Sequence, residues 1–431
     1  NSILTVRNFD FYDNQNVLDY EDLKSSEDTD RTTEDTTSDQ TDTLIETESN
    51  NTLSTADKLE MGKVITGQLS STSDLDYFKF DVTQASTLRL AVDIPTSSSY
   101  YLYFTASVFN SAGNFLSSHQ FGSDTIFSTA LDSADTYYVR IERSSSYDGG
   151  QYSLTGSLTN GTSNRETEGN NSRSTADVIS SGSSTKGQIS RTSDGDYYKI
   201  STDGAATITI DFDAPTNSSF NNYFKVALQN ASGTVLASQD TGRDISFDTG
   251  VDSAGDYYVV IEDSTLLTTD EYSFSTTIAA AAANNNTAET ESNNTLSTAD
   301  TIEMGKAITG QLSSSSDLDY FKFDVTQAST LQLNFDAPTN SSFNNYFTTA
   351  VLDGAGNTLS SHQGGSDITF STALSTAGTY YIQIEDSTLY NGGQYSLTGS
   401  LTNGTSGIET ESNNSRSTAD VISSGGSTKG Q

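Results

Sequence analysis

The chain has no cysteine and no tryptophan, only three prolines, two methionines and two histidines, and 20 basic residues against 57 acidic ones. Without cysteine there is no disulfide to staple a fold and no thiolate to act as nucleophile or metal ligand. Two histidines are too few for the clustered His or Cys ligands of a usual zinc site. A net charge of −37 repels a phosphate backbone, so nucleic acid is excluded as a partner. Such a charge suits a salty or divalent-rich medium, in which cations screen the carboxylates. The longest purely apolar run, Ile278 to Ala283, falls far short of the about 20 residues that cross a bilayer, so no transmembrane helix is expected. Hydrolase elbow, phosphate-loop and EF-hand patterns are missing too.

What the chain has in quantity is repetition. Glu-Thr-Glu-x-Asn-Asn begins at Glu46, Glu166, Glu289 and Glu409, and each time leads into Ser-Thr-Ala-Asp. The spacings are 120, 123 and 120 residues, and the three prolines, Pro95, Pro215 and Pro338, keep the same ruler. A longer period is nested inside. Glu46–Leu69 and Glu289–Leu312 differ at three positions, and Asn170–Gln188 has its near twin in Asn413–Gln431. The repeats therefore alternate as types A and B.

This ruler predicts domains at 46–160 (A), 166–279 (B) and 289–403 (A), and the start of a further B copy at 409–431. Residues 1–45 stand apart, with a predicted strand, Ile3–Phe11, and a Ser/Thr/Asp/Glu tract that reads as a flexible linker. The first residue is Asn rather than Met, which suggests a processed chain. The copy at 409–431 is expected either to continue beyond Gln431 or to be completed by strands from another molecule.

Short runs of alternating apolar and polar residues fill each copy. In the third, strands are predicted near Ala307–Leu312, Tyr320–Val325, Thr330–Asp336, Tyr346–Asp353, Thr358–His362, Ile368–Leu374, Thr379–Glu385 and Gln394–Leu401. Turn signals such as Gly354-Ala-Gly-Asn357 separate them. Eight such strands favour an all-β fold of tandem antiparallel sandwiches of jelly-roll type. Each copy also carries paired tyrosines, Tyr137-Tyr138, Tyr257-Tyr258 and Tyr380-Tyr381, which are expected to put one ring in the core and one on the surface.

The motifs in their order resemble the bacterial pre-peptidase C-terminal domain, abbreviated PPC. The phrases that carry the resemblance are Glu46-x-Glu48-x-Asn50-Asn51 with Ala56-Asp57, then Gly67-Gln-Leu69, then Ser73-Asp74-x-Asp76-Tyr-Phe-Lys-Phe80. Gly378-Thr-Tyr-Tyr-Ile-Gln-Ile384 and Gln394-Tyr-Ser-Leu397 follow the same style. The resemblance implies a secreted β-sandwich, similar to the collagen-binding modules of clostridial collagenases. It also implies calcium at Glu46, Glu48, Asn50, Ser73 and Asp74.

The residue types fit that implication. Calcium takes six to eight oxygens, and Glu, Glu and Asn at alternate positions of an extended segment can turn to one side. Ser-Asp-x-Asp in a second loop supplies more. The candidate ligands are thus Glu46, Glu48, Asn50, Ser73, Asp74 and Asp76; Glu166, Glu168, Asn170, Ser193, Asp194 and Asp196; and Glu289, Glu291, Asn293, Ser316, Asp317 and Asp319. The competing reading is that the Glu residues are solvated linker charges and the Asp residues fix a tight turn.

No catalytic constellation repeats: His119 and His362 have Gln239 in place between them, and no triad forms around either. Near-identical copies suit a contact made many times rather than one catalytic site. The expectation is a non-enzymatic, calcium-stabilised, extracellular structural or adhesive array that associates with copies of itself. The alternative is a polymer-binding region, for collagen or a glycan, of a larger secreted hydrolase, with Tyr100, Tyr101 and Tyr103 as candidate contacts.

Overall fold

In a computed structural model of the protein, residues 43–94, 104–144, 150–162, 164–215, 223–265, 268–280, 287–338, 346–386, 393–405, 407–411, 413, 415–422 and 424–430 are described. The Ile3–Phe11 strand, Tyr100, Tyr101 and Tyr103 lie outside them. All described residues belong to one compact unit, Asp42–Gln431.

Three β-sandwiches follow one another, each a five-stranded sheet facing one of four or five strands. In the third, one sheet runs in the order Ala307–Gly310, Tyr395–Asn403, Ser329–Asp336, Ile368–Leu374. The other runs Asp300–Thr301, Leu318–Val325, Gly378–Asp386, Phe347–Leu352, Thr358–Gly364. Eight of these nine strands pair antiparallel, and they are the eight that the sequence predicts, with ends shifted by at most two residues. The strand the sequence does not disclose is Asp300–Thr301, which pairs parallel with Phe321 and Lys322. Two residues carry no periodicity, so only the fold reveals it.

Alternation sets the layers. Along Leu318–Val325 the buried positions are Asp319, Phe321, Phe323 and Val325, with polar residues between them. Leu331, Leu333, Ile382 and Ile384 close on them from other strands with no exposed surface. Each such side chain contributes about 1.5–3 kcal/mol by leaving water. Separate cores of the same build lie around Phe78 and Leu90 in the first sandwich and around Tyr198 and Ile210 in the second. Turn chemistry is equally local: Asp353 Oδ1 accepts from the amides of Ala355 and Asn357 at 2.9 Å each, and Gly356 supplies φ +83°.

The first tyrosine of each pair is in the core. Tyr137 stacks on Phe80 and Tyr380 on Phe323, and their hydroxyls donate to backbone carbonyls four residues back, Ser133 at 3.1 Å and Thr376 at 2.9 Å. Tyr138 and Tyr381 are half-buried on the other face, while Tyr258 is buried. Among the described residues no helix is long and apolar enough to cross a membrane.

Candidate metal centre

The lead-in segment of each sandwich lies across one end and is stitched to both sheets. In the third, the Glu289 amide donates to Thr309 O at 2.8 Å and the Tyr320 amide to Asn293 O at 3.2 Å. Glu289, Glu291 and Asn293 are thereby delivered to the end of Leu318–Val325, where Asp319 points inward. Asp319 and Asn293 are fully buried and Glu289 nearly so.

The carboxylates are held by the protein, Glu289 through both oxygens, since its Oε2 accepts from Asn293 Nδ2 and the Tyr395 hydroxyl at 3.3 Å each. Glu289 Oε1 accepts from the Gln311 amide at 2.5 Å, and Asp319 Oδ2 accepts from the Tyr395 hydroxyl at 2.6 Å. Asp317 Oδ2 accepts from the Ser313 amide at 2.6 Å. Glu291 Oε1, Asn293 Oδ1 and Asp319 Oδ1 are buried with no hydrogen-bond partner. Carboxylate oxygens of Glu289, Glu291 and Asp319 all lie within 4.8 Å of one another. A buried polar oxygen without a partner costs about 1–3 kcal/mol, and more when charged. Several pointing together fit a bound cation better than any dry arrangement.

The electrostatics agree. Burial, and then the neighbouring Asp317, push Asp319 up to about 7; burial, Asp317 and Asp319 push Glu291 up to about 9. Burial and Asp319 raise Glu289 as well. Among the described residues no lysine or arginine forms an ion pair with these groups. The set must therefore hold protons or a metal. All its donors are hard oxygens, which suits calcium and not zinc.

The other sandwiches repeat the arrangement with two differences. In the first, Glu46, Glu48 and Asp76 come within 4.8 Å, with Asn50 Oδ1 and Asp76 Oδ1 unpartnered and Asp76 pushed by burial up to about 8. Here Glu46 is half-buried and Glu48 exposed. In the second, Glu168 Oε1, Asn170 Oδ1 and Asp196 Oδ1 are unpartnered, but Tyr198 donates to Glu166 Oε2 at 2.8 Å and meets Tyr272 at 2.7 Å. Phe78 and Phe321 occupy that position in the A copies. Burial pushes Glu166 up to about 7 and raises Glu168, Asp194 and Asp196.

Not every expected residue joins the cluster. Ser73, Ser193 and Ser316 are exposed, and the hydroxyls of Ser73 and Ser316 face Ser71 and Ser314 of their own turns. Asp74, Asp194 and Asp317 do fix that turn, through the amides of Ser70, Ser190 and Ser313. Two groups had no role in the sequence reading. Asp57, Asp177 and Asp300 accept from the amides of Thr47, Thr167 and Thr290 at 2.6–2.7 Å and brace the lead-in segment. Tyr152, Tyr272 and Tyr395 each donate to the inward aspartate at 2.6 Å, always across 76 residues. That constant separation was the available signal. The histidines pack on phenylalanines, His119 on Phe127 at 5.5 Å and His362 on Phe370 at 4.2 Å.

Residues 317–386 match the family model of the bacterial pre-peptidase C-terminal domain. No curated protein matches the sequence. Similar solved structures include the pre-peptidase C-terminal domain of a collagenase from Bacillus anthracis, at 17% identity and TM-score 0.20, covering 23% of this chain and 93% of that one. The tandem CBM22-1–CBM22-2 domain of Xyn10C from Paenibacillus barcinonensis aligns at 12% identity and TM-score 0.19, covering 47% and 82%. A triple jelly-roll protein of an archaeal virus turret aligns at 10% and 0.19, covering 80% and 82%.

Proposed function

Taking the match of residues 317–386 to the pre-peptidase C-terminal domain as premise, we propose that the chain is a non-catalytic, calcium-stiffened extracellular array with a structural or adhesive role. One observation carries the reading: the same buried oxygens, unpartnered and among carboxylates, recur at the same end of three successive sandwiches. A cation at each would tie the lead-in segment to both sheets and so fix where one sandwich leaves off and the next begins. Glu46, Glu48, Asn50 and Asp76, and their counterparts Glu166, Glu168, Asn170, Asp196 and Glu289, Glu291, Asn293, Asp319, would hold it. The deciding experiment is a calcium titration of chelated protein followed by calorimetry. About three calcium ions bound per chain and a raised melting temperature are expected; no heat of binding at millimolar calcium would overturn the reading.

A second reading rests on the family match alone, which is to a domain named for its place beside peptidases. The chain would then be a polymer-binding accessory region of a secreted hydrolase. Retention on insoluble collagen or polysaccharide would favour it, and calcium binding would be common to both.

A further inference from the structure

Glu289 is bonded to two sandwiches at once. Its amide donates to Thr309 O of the third at 2.8 Å, and its carbonyl oxygen accepts from the Gly250 amide of the second at 2.8 Å. Gly250 lies on Ile245–Val251, the outermost strand of its sheet, and forms a parallel bridge with Thr290. Side chains repeat the link. Gln311 donates its amide to Glu289 Oε1 at 2.5 Å and its Nε2 to Ser238 O of the second sandwich at 2.6 Å. Ser238 Oγ donates in return to Ser313 O at 3.0 Å. One candidate ligand of the third cluster is thus gripped from both sides of a junction.

Gly250 is what lets the lead-in segment come so close. A Cβ there would lie 2.5 Å from Glu289 O and 2.9 Å from Ala288 O, both backbone atoms that cannot turn aside. The A sandwiches carry alanine at the same position of the same strand pairing, Ala130 and Ala373, so the sandwich itself does not demand glycine. The junction does. At the first junction Glu166 is tied through the glutamine alone: Gln188 donates its amide to Glu166 Oε1 at 2.6 Å and its Nε2 to Ser118 O at 2.9 Å. A small cavity there is lined by Ser117, Thr129 and Ala130 of the first sandwich and Glu166, Glu168 and Gln188 of the second.

We propose that Gly250 and Gln311 are positioning residues of the third cation site, through which the second sandwich holds Glu289 ready for the ion and the ion locks the second sandwich to the third. Both act through Glu289 rather than as ligands. Holding the carboxylate in place beforehand spares the ion the cost of ordering it. An ion that fixes Glu289 against Asp319 also fixes the lead-in backbone that lies on Gly250, so the effect runs in both directions. Whatever the docked sandwich adds to the affinity for the cation, the cation adds to the docking. The inference deepens the calcium reading of the cluster and rests on it: the site of one sandwich depends on residues of the one before.

The test is calcium titration calorimetry of the whole chain, unaltered and as Gly250→Ala and Gln311→Ala. Each variant is expected to lose roughly two- to tenfold in affinity at one site, the equivalent of one hydrogen bond, with the other sites unaltered. Gly250→Ala puts in the residue that the A sandwiches carry, and Gln311→Ala, which keeps its amide, carries the test from the other side should the first variant fail to fold. The reverse effect is read by amide hydrogen exchange at Gly250. Calcium should slow it in the unaltered chain and not in Asp319→Asn, in which the cluster of the second sandwich is intact. A purely structural role would lower the melting temperature of the variants and move neither readout. Calcium bound with unaltered affinities in both variants, or exchange at Gly250 that ignores calcium or is slowed equally in Asp319→Asn, overturns the proposal and leaves the calcium reading standing. No calcium bound by the unaltered chain overturns both.

Discussion

Tyr395 and Asp319, on facing sheets and 76 residues apart, are joined by a 2.6 Å hydrogen bond inside the sandwich. The tyrosine is 1% exposed and the aspartate fully buried. The bond leaves Asp319 Oδ1 as the only oxygen of that carboxylate free to face Glu289 and Glu291. Replacing Tyr395 by Phe removes the donor and keeps the ring. The expected cost is about 1–3 kcal/mol in chelated protein, since a buried acceptor loses its only partner. By thermal melting that is several degrees for one domain, at about 4–8 °C per kcal/mol. An unchanged midpoint would mean that water replaces the tyrosine hydroxyl.

Asp319 can also be tested directly. Asp319→Asn keeps the shape and deletes a buried charge that like-charged neighbours oppose. The third sandwich should melt higher than the unaltered one in chelator and should no longer respond to calcium. Calorimetry should show one calcium site fewer. A variant that binds calcium with unaltered stoichiometry would remove Asp319 from the ligand set.

Stability against pH follows from the raised carboxylates. In the unfolded chain these groups titrate near 4. In the folded chain without metal, burial holds Asp319 at about 7, Asp76 at about 8 and Glu291 at about 9. Between those limits the folded state binds more protons than the unfolded one, so stability falls as pH rises from about 4 through these folded values. Chelated protein should melt lower at pH 8 than at pH 5. Exposed carboxylates have finished titrating by pH 5, so the buried clusters dominate that window. Calcium displaces the same protons and should flatten the slope. A chelated midpoint that rises from pH 5 to pH 8 would contradict the assignment.

The sequence discloses the strands better than the site, and the reason is range. Phe321, Phe323 and Val325 alternate with polar neighbours, so the strand and its inward face are legible locally. Asp319 sits two residues earlier on the same phase, which makes an inward carboxylate readable in principle, but Ser-Asp-x-Asp also spells a turn. Both readings hold, one for each aspartate: Asp317 ties the turn and Asp319 enters the core. Tyr395 reaches it only after the sandwich has closed, so no local pattern signals the pair. The bracing aspartates, Asp57, Asp177 and Asp300, depend likewise on parallel strands two residues long. The contact between the first two sandwiches, in which Gln188 Nε2 donates to Ser118 O at 2.9 Å, is hidden for the same reason, because both are ordinary polar residues until one sandwich meets the next.

Gly310 shows how little space the cluster has. A Cβ there would strike the Tyr395 hydroxyl and ring and come within 2.8 Å of Glu289 Oε2. Gly67 and Gly187 are confined in the same way by Tyr152 and Tyr272. Gly310→Ala should cost about 1–3 kcal/mol by overpacking. Because it displaces two members of the cluster, calcium affinity at the third sandwich should drop with it. A stable variant with unaltered affinity would show that the glycine does not shape the site.

The B cluster places a tyrosine, Tyr198, where the A clusters have Phe78 and Phe321, and that difference predicts two classes of site. Tyr198 donates to Glu166 Oε2, so a cation in the second sandwich competes with a tyrosine for that oxygen. In the A copies Phe78 and Phe321 stand at that position, the equivalent oxygens accept only longer bonds from Tyr152 at 3.4 Å and Tyr395 at 3.3 Å, and the three carboxylates converge within 4.8 Å. Calcium should therefore bind the first and third sandwiches more tightly than the second. Tyr198→Phe gives the B copy the A residue and frees Oε2. It also takes one partner from Tyr272, which keeps its 2.6 Å bond to Asp196. In chelator the variant loses a hydrogen bond and should melt lower; in calcium the loss should shrink. Titration calorimetry should pass from a two-class isotherm to a single class, and an isotherm that keeps two classes would place the difference between A and B sites elsewhere.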